Sequence, residues 1–350
     1  MGRNTPLSAD ILAEALRVYE AAGCNLATAA NSLGIARSTL QNRIRRAQKA
    51  AIAPATDPES AIELPAFPDD DVPTKEIIEL LSKRFQKRKA SFDAHSWFTV
   101  KVKENQPIGI LWMGDPHVDD NGCNWPALIR DAELCRTVDG LYGANIGDST
   151  NNWSDRLVKL YANQDTSVAT ARKLARWLMI DSGIPWLVYL LGNHDLWGDG
   201  AAILAQMAKL HGTQKIVCHD WEARFSLKFP NGRDFRIFAA HDFAGNSMWN
   251  PLHGPLRASK MGGEADLYVC GHRHNWGVYR YENADRGRIQ TVIRARGYKF
   301  LDDYARRLGI IEQQDGCSIL TVLDPATGSL LAFEDAATGA DYLTWLRKRA

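Results

Sequence analysis

Acidic, imidazole and amide side chains recur in five short clusters: Asp115-Pro-His117, Asp148-Ser-Thr-Asn151, Asn193-His194-Asp195, His241-Asp242 and His272-Arg-His274. Carboxylate, imidazole and amide oxygen together favour borderline divalent ions such as Mn²⁺, Fe²⁺ or Zn²⁺ over Ca²⁺ or Mg²⁺ alone. Two such ions roughly 3.5–4 Å apart can hold a hydroxide between them and clamp both oxygens of an in-line displacement. A carboxylate, with two oxygens, is the natural bridge between them.

Such groups act together only if the fold brings them to one place. Each cluster follows an apolar run with strand character: Ile108–Met113, Tyr142–Ile146, Trp186–Leu191, Phe235–Ala240 and Leu267–Cys270. Further strands are expected at Gln290–Ile293 and Ser318–Leu323, and helical stretches at 126–138 and 167–180 separate the first three runs. The alternation is that of an α/β fold with a largely buried sheet and crossover helices. In such folds ligands gather at the carboxyl ends of strands. One sheet edge is therefore expected to supply every candidate ligand. Glycines 114, 147, 192 and 271 immediately precede the ligand residues, where the backbone must turn sharply.

The order D-x-H, G-D-x-x-N, G-N-H-D, H, G-H-x-H resembles the calcineurin-like metallophosphoesterase superfamily, over about residues 105–325. The resemblance implies a two-sheet α/β sandwich. It implies one metal held by Asp115, His117 and His274, a second by Asn193, His241 and His272, and Asp148 bridging them. A metal-bridging hydroxide would attack phosphorus in line. His194 would protonate the leaving oxygen, with Asp195 holding its imidazole. Of the other histidines (95, 211, 219 and 253), His253 is the one rival to His241, and it lacks a preceding strand.

Protein serine/threonine phosphatases of that superfamily carry G-D-x-x-D-R-G and G-N-H-E. This chain has Asn151-Asn152-Trp153 and Asp195 at those points. The better match is to the branch of phosphodiesterases and repair nucleases. Trp125, Trp153, Trp197, Trp249 and Trp276 each follow a cluster closely, on loops that would rim the site. They either brace the loops or stack on nucleobases, a contact worth about 1–3 kcal/mol per base. Asn151, Trp153, Trp197 and Arg296 are the candidate substrate contacts. Arg296 belongs to the basic segment Arg294–Lys299, which could fork onto phosphate oxygens.

Net charge is only +1 over 350 residues, with ordinary globular composition, but charge is unevenly placed. Residues 1–50 are basic, 51–74 are acidic and proline-rich, and 75–103 are basic again. The stretch 51–74 reads as a linker and about 75–89 as a basic amphipathic helix. Apolar spacing over 8–49 predicts helices, with Asn25 as a cap and Gly34 at a tight turn. This module resembles the helix-turn-helix that ends many bacterial regulators. That implies Arg37, Ser38, Thr39, Gln41 and Asn42 facing the major groove of DNA, with Arg43, Arg45 and Arg46 on phosphates. The alternative is a helical bundle for docking or dimerisation. A helix-turn-helix joined to such a catalytic domain is similar to phage and prophage proteins.

The expected organisation is 1–50 DNA-binding module, 51–74 linker, 75–104 basic helix and lead-in, 105–335 metallophosphoesterase domain and 336–350 terminal helix. The six cysteines are scattered, with no CxxC pair, and no apolar run reaches membrane-spanning length. The opening residues do not read as a signal peptide. A cytoplasmic enzyme with two divalent transition metals, Mn²⁺ foremost, is expected to hydrolyse diesters in nucleic acid, with a homodimer as one possible assembly. Two alternatives stand beside it: hydrolysis of a small nucleotide or metabolite, and a DNA-binding or assembly protein whose metal centre is structural.

Overall fold

A computed structural model describes residues 7–50, 71–210, 216–300 and 316–349. The acidic linker therefore lies outside the described residues up to residue 70, as does His211. The chain divides into two compact units, Met1–Ile77 and Ile78–Ala350.

In the first unit three helices follow one another, α1 (Ala9–Ala21), α2 (Leu26–Ser32) and α3 (Arg37–Lys49). Asn25 caps α2, its side-chain oxygen accepting the N–H groups of Ala27 and Thr28 at 3.0 and 3.2 Å. Gly34 turns the chain between α2 and α3 at a φ of +61°, a left-handed conformation that favours glycine. Leu12, Ala15, Leu16, Ala29, Ala30, Leu40, Ile44 and Ala47 form the core of this module. With no long side chains at 29 and 30 the helices approach closely, and α3 keeps Arg37, Ser38, Thr39, Gln41 and Asn42 exposed.

Helix α4 (Thr74–Ser96) runs about two turns past its expected end and leads to β1 (Phe98–Lys101). Two six-stranded sheets follow among the described residues. The first has β2 (Ile108–Met113), β3 (Leu141–Asn145), β4 (Trp186–Leu191) and β5 (Cys218–Asp220) in parallel succession. Its other side continues antiparallel through β11 (Ser318–Asp324) and β12 (Ser329–Phe333). The second sheet has the order β1, β6 (Glu222–Lys228), β7 (Asp234–Ala240), β8 (Leu267–Cys270), β10 (Arg288–Arg294), β9 (Gly277–Asn283). Within it β7, β8 and β10 are parallel.

The pleat explains the layers. Along β2, Ile108, Ile110 and Trp112 join a core shared with Phe225, Ile237, Leu267, Val269 and Ile293 of the second sheet. Leu111 and Met113 face the opposite way, into a core with helices α5 (Trp125–Thr137), α6 (Val168–Arg176), α8 (Gly200–Leu210) and α10 (Ala336–Arg347). The outer face of the second sheet packs on α9 (His253–Gly262) through Leu252, Tyr268 and Val292. Each β2 side chain thus has a defined layer, and the molecule is the expected two-sheet α/β sandwich preceded by a helical module.

The five clusters do not share one sheet edge. β2, β3 and β4 carry the first three, and β7 and β8 of the other sheet carry the last two. Local patterns report strands but not which strands pair, so sheet membership was out of their reach. No helix among the described residues is long and apolar enough to cross a membrane.

Candidate metal centre

The carboxyl ends of five parallel strands, three from one sheet and two from the other, converge where the sheets meet. The loops beyond them are tied together by backbone bonds. Asp115 N–H donates to Gly147 O at 3.0 Å, His117 N–H to Asp148 O at 3.1 Å, and Gly271 N–H to His241 O at 3.0 Å. A β-carbon at Gly192 would collide with the Asp148 carboxylate, and one at Gly271 with that of Asp115. Those two positions therefore require glycine, for close approach. The residues Asp115, His117, Asp148, His272 and His274 all have positive φ, between 39° and 69°. For non-glycine residues that conformation costs about 1–2 kcal/mol each.

Donor atoms of Asp115, His117 and His274 lie within 4.8 Å of one another, as do those of Asp115, Asp148, His241 and His272. Asp148 also groups with His117 and His194. His241 Nε2 lies 2.9 Å from Asn193 Oδ1, 3.0 Å from His272 Nδ1 and 3.3 Å from Asp148 Oδ2. Its other nitrogen donates to Ile146 O at 2.9 Å, which fixes the ring so that Nε2 faces the cluster. All seven expected ligands are thus brought together. His253 opens α9 and joins none of these groups.

The donor set fits divalent cations on its own chemistry. Asp115 Oδ1 and both ring nitrogens of His117 are buried with no hydrogen-bond partner. Native proteins rarely leave such groups unsatisfied. Burial alone would raise Asp148, but His241, then His194 and His117, outweigh it and hold its carboxyl well below the usual range. Burial pushes Asp115 up to about 8, with repulsion from Asp148 adding to it. Burial would lower His241, yet Asp148 and then Asp115 carry it up to about 10. Adding Mn²⁺ at about 100 times its Kd is expected to stabilise the fold by about 2.7 kcal/mol. That corresponds to a Tm rise of about 5–10 °C by differential scanning fluorimetry, reversed by EDTA. An unchanged Tm would show that these residues do not hold a cation.

His194 stands beside the cluster, with Nε2 3.9 Å from Asp148 Oδ2 and its backbone N–H donating to Asp148 Oδ1 at 2.9 Å. Burial, with repulsion from Lys299 and His241, lowers its pKa. The sequence assigns its orientation to Asp195, and this is corrected. Asp195 accepts backbone N–H groups from Gly192 and Ser149, both at 3.0 Å, and so braces the loop. His194 Nδ1 instead meets the carbonyl oxygen of Asn151. Asn151 is in turn held by Asp119, which accepts its N–H at 2.7 Å, and by Asp120 and Gln164, which accept from its side-chain amide at 2.8 and 3.0 Å. The Asn151 side-chain nitrogen is thus engaged within the protein, while its Oδ1 is buried with no hydrogen-bond partner.

The tryptophans divide. Trp125 packs against Trp177 and Trp276 against the inter-sheet core, as braces. Trp153 and Trp197 flank the His194 ring, at 5.2 and 4.2 Å between centroids. Trp249 is 90% exposed on the loop after the His241 cluster. Sequence reasoning missed Trp221, whose ring lies 5.2 Å from His241 and whose backbone oxygen accepts the His241 N–H. It also missed Asp119, Asp120 and Gln164, although the acidic pair directly after His117 was a visible signal. Arg294 is buried, bonded to Asp242, Pro251 O and Gly271 O. Arg296 is 1% exposed, its guanidinium 3.8 Å over the Phe300 ring. Neither arginine stands at the rim where a phosphate fork was expected.

Residues 12–66 match the family model of the PucR C-terminal helix-turn-helix domain. No curated protein matches the chain. Among solved structures it is similar to vacuolar protein sorting 29 from Cryptosporidium parvum, at 14% identity and TM-score 0.35, covering 66% of this chain and 100% of that one. A predicted phosphoesterase from Streptococcus pneumoniae matches at 11% identity and TM-score 0.30, over 65% and 98%. A metallophosphoesterase from Sphaerobacter thermophilus matches at 13% identity and TM-score 0.28, over 68% and 93%. At such values these likenesses say nothing of activity.

Proposed function

We propose that the chain is a hydrolase of phosphate esters with two divalent metals, a member of the calcineurin-like metallophosphoesterase superfamily, acting on diesters in nucleic acid. The observation that carries this is the convergence of seven donor residues, Asp148 among them, with His194 alongside. Asp115, His117 and His274 would hold one cation, Asn193, His241 and His272 the other, and Asp148 would touch both. Bound there, such a pair, Mn²⁺ foremost, supplies Lewis acidity and a nucleophile at neutral pH. His194, its Nδ1 anchored on the Asn151 carbonyl, keeps Nε2 for the leaving oxygen. Asp195, Asn152 and the neighbouring glycines hold the loop that carries it, Asn152 donating to the carbonyls of His194 and Trp197 at 2.8 and 2.9 Å.

Nucleic acid as substrate is supported by the aromatic rim and by the amino-terminal module. Trp221 is 36% exposed and Trp249 90%, and a base can stack on either. Arg37, Ser38, Thr39, Gln41 and Asn42 are exposed, as the side chains that a recognition helix uses on the major groove are. A second reading is a small nucleotide, favoured by the way Trp153 and Trp197 crowd the approach to His194.

A panel of substrates decides between them. Mn²⁺-loaded protein is expected to cleave bis-p-nitrophenyl phosphate and at least one of single-stranded DNA, double-stranded DNA or RNA. Hydrolysis of the small diester with every nucleic acid left intact would sink the nucleic-acid reading. Arg37→Ala combined with Arg43→Ala is expected to weaken binding to double-stranded DNA, by about 1–3 kcal/mol for a base-contacting arginine. Small-diester hydrolysis should be unchanged. Equal DNA affinity would assign the helical module to docking or dimerisation.

A further inference from the structure

We propose that Lys299 is a substrate-binding residue whose ammonium takes a non-bridging oxygen of the phosphoryl group, exchanging it for its contact with Asp120. The inference rests on the phosphoester reading and assigns that site a cation of its own. Lys299 follows β10, whose carboxyl end points to the metal centre alongside β7 and β8. Its backbone is pinned to the loop after the first ligand cluster. Lys299 bridges Cys123, Asn124 N–H donates to Tyr298 O at 2.7 Å, and Phe300 N–H donates to Gly122 O at 2.8 Å.

That fixes where the ammonium can go. Lys299 is 7% exposed, with Nζ 3.1 Å from Asp120 Oδ2 and 5.4 Å from the centroid of the Trp153 ring. Trp153 itself lies against His194, and His194 against His117. Lys299 therefore stands on the Asp115–His117–His274 side of the cluster, near the imidazole that would meet the leaving group.

The pairing suits exchange more than stability. A buried ion pair gains little over well-packed apolar groups, because desolvation offsets the attraction. Asp120 Oδ2 also accepts from Asn151 Nδ2 at 2.8 Å, so its carboxylate keeps a donor when the ammonium turns away. A lysine is a point charge on a flexible stem, able to move from a carboxylate to a phosphate without the fixed fork of an arginine. The two arginines of the same segment are committed elsewhere, Arg294 to Asp242 and Arg296 to the Phe300 ring. A phosphoryl group gathers negative charge on its equatorial oxygens in the transition state, so this contact would strengthen as the reaction proceeds.

The test compares Mn²⁺-loaded wild type, Lys299→Met, Lys299→Arg and Asp120→Asn. Isothermal titration with orthophosphate gives binding, and bis-p-nitrophenyl phosphate gives kcat and KM. Lys299→Met is expected to weaken orthophosphate about tenfold or more and to lower kcat/KM by about 10²-fold, mainly through kcat. Lys299→Arg should recover most of the orthophosphate affinity. Asp120→Asn removes the carboxylate charge from that contact and should bind orthophosphate within about threefold of wild type. Unaltered orthophosphate binding by Lys299→Met would overturn the proposal. So would an Asp120→Asn loss as large as that of Lys299→Met, since the pair would then be a structural strut. If Lys299→Met does not fold, Lys299→Gln takes its place in the same orthophosphate titration and is read by the same two criteria. Wild type that binds orthophosphate but hydrolyses nothing would sink the esterase reading and leave the binding comparison standing.

Discussion

Asp148→Asn is expected to cut kcat on bis-p-nitrophenyl phosphate by about 10³-fold or more, equivalent to about 4 kcal/mol of lost stabilisation. Bound Mn²⁺ should fall from two ions per chain to one or fewer, by plasma mass spectrometry of the dialysed protein. The position explains the size. Asp148 is the one carboxylate that groups both with His241 and His272 and with His117 and His194. Its Oδ2 lies 3.3 Å from His241 Nε2 and 3.9 Å from His117 Nε2. Asparagine keeps the shape but removes the charge and one coordinating oxygen. The neighbours that hold the Asp148 carboxyl ionised would then face a neutral amide. Full activity with two ions retained would show that the bridge lies elsewhere, with Asp115, shared by the other two ligand groups, as the replacement.

His194→Ala is expected to lower kcat by about 10²–10⁴-fold on an ester with an alkyl leaving group while the metal content stays at wild-type level. The loss should be much smaller with p-nitrophenolate, a leaving group that departs without a proton. This contrast follows from geometry: Nδ1 is tied to the Asn151 carbonyl, and Nε2 stands near Asp148 without being one of the expected ligands. An equal loss for both leaving groups would make His194 a positioning residue instead of an acid. Unchanged turnover on either ester would sink the assignment outright. A DNA-binding role that survives the substitution would point to a centre that only builds structure.

The ligand set was legible because it is local. Asp115, His117, Asp148, Asn193, His241, His272 and His274 each sit within four residues of an apolar run that ends in its own loop, and that arrangement is visible in one dimension. The strands bearing them match their expected bounds to within one residue. β1, β5, β6, β9 and β12 were not foreseen. β5 is only three residues long, and β9 and β12 have one buried residue each, so their signal is weak. The support of His194 was missed for a different reason. Asn151, Asp120 and Gln164 meet through hydrogen bonds between segments 13 and 31 residues apart, and no periodicity records such meetings. The role that the family resemblance implies for Asp195 is not the one its side chain takes. Its side chain turns back to Gly192 and Ser149.

The left-handed backbone at five of the seven proposed ligand positions limits how this centre can evolve. Aspartate, asparagine and histidine are several-fold enriched in that region of φ,ψ space, whereas bulky and β-branched residues are strongly disfavoured there. At Asp115, His117, Asp148, His272 and His274 the loop geometry therefore selects the same residue types that the metals select. A drift toward other donors would have to win on coordination and on backbone conformation together. Such a drift would begin with the loops, because the donor chemistry and the chain path are inherited as one trait. Asn193 and His241, whose backbones are not left-handed, are where the metal preference is freest to change.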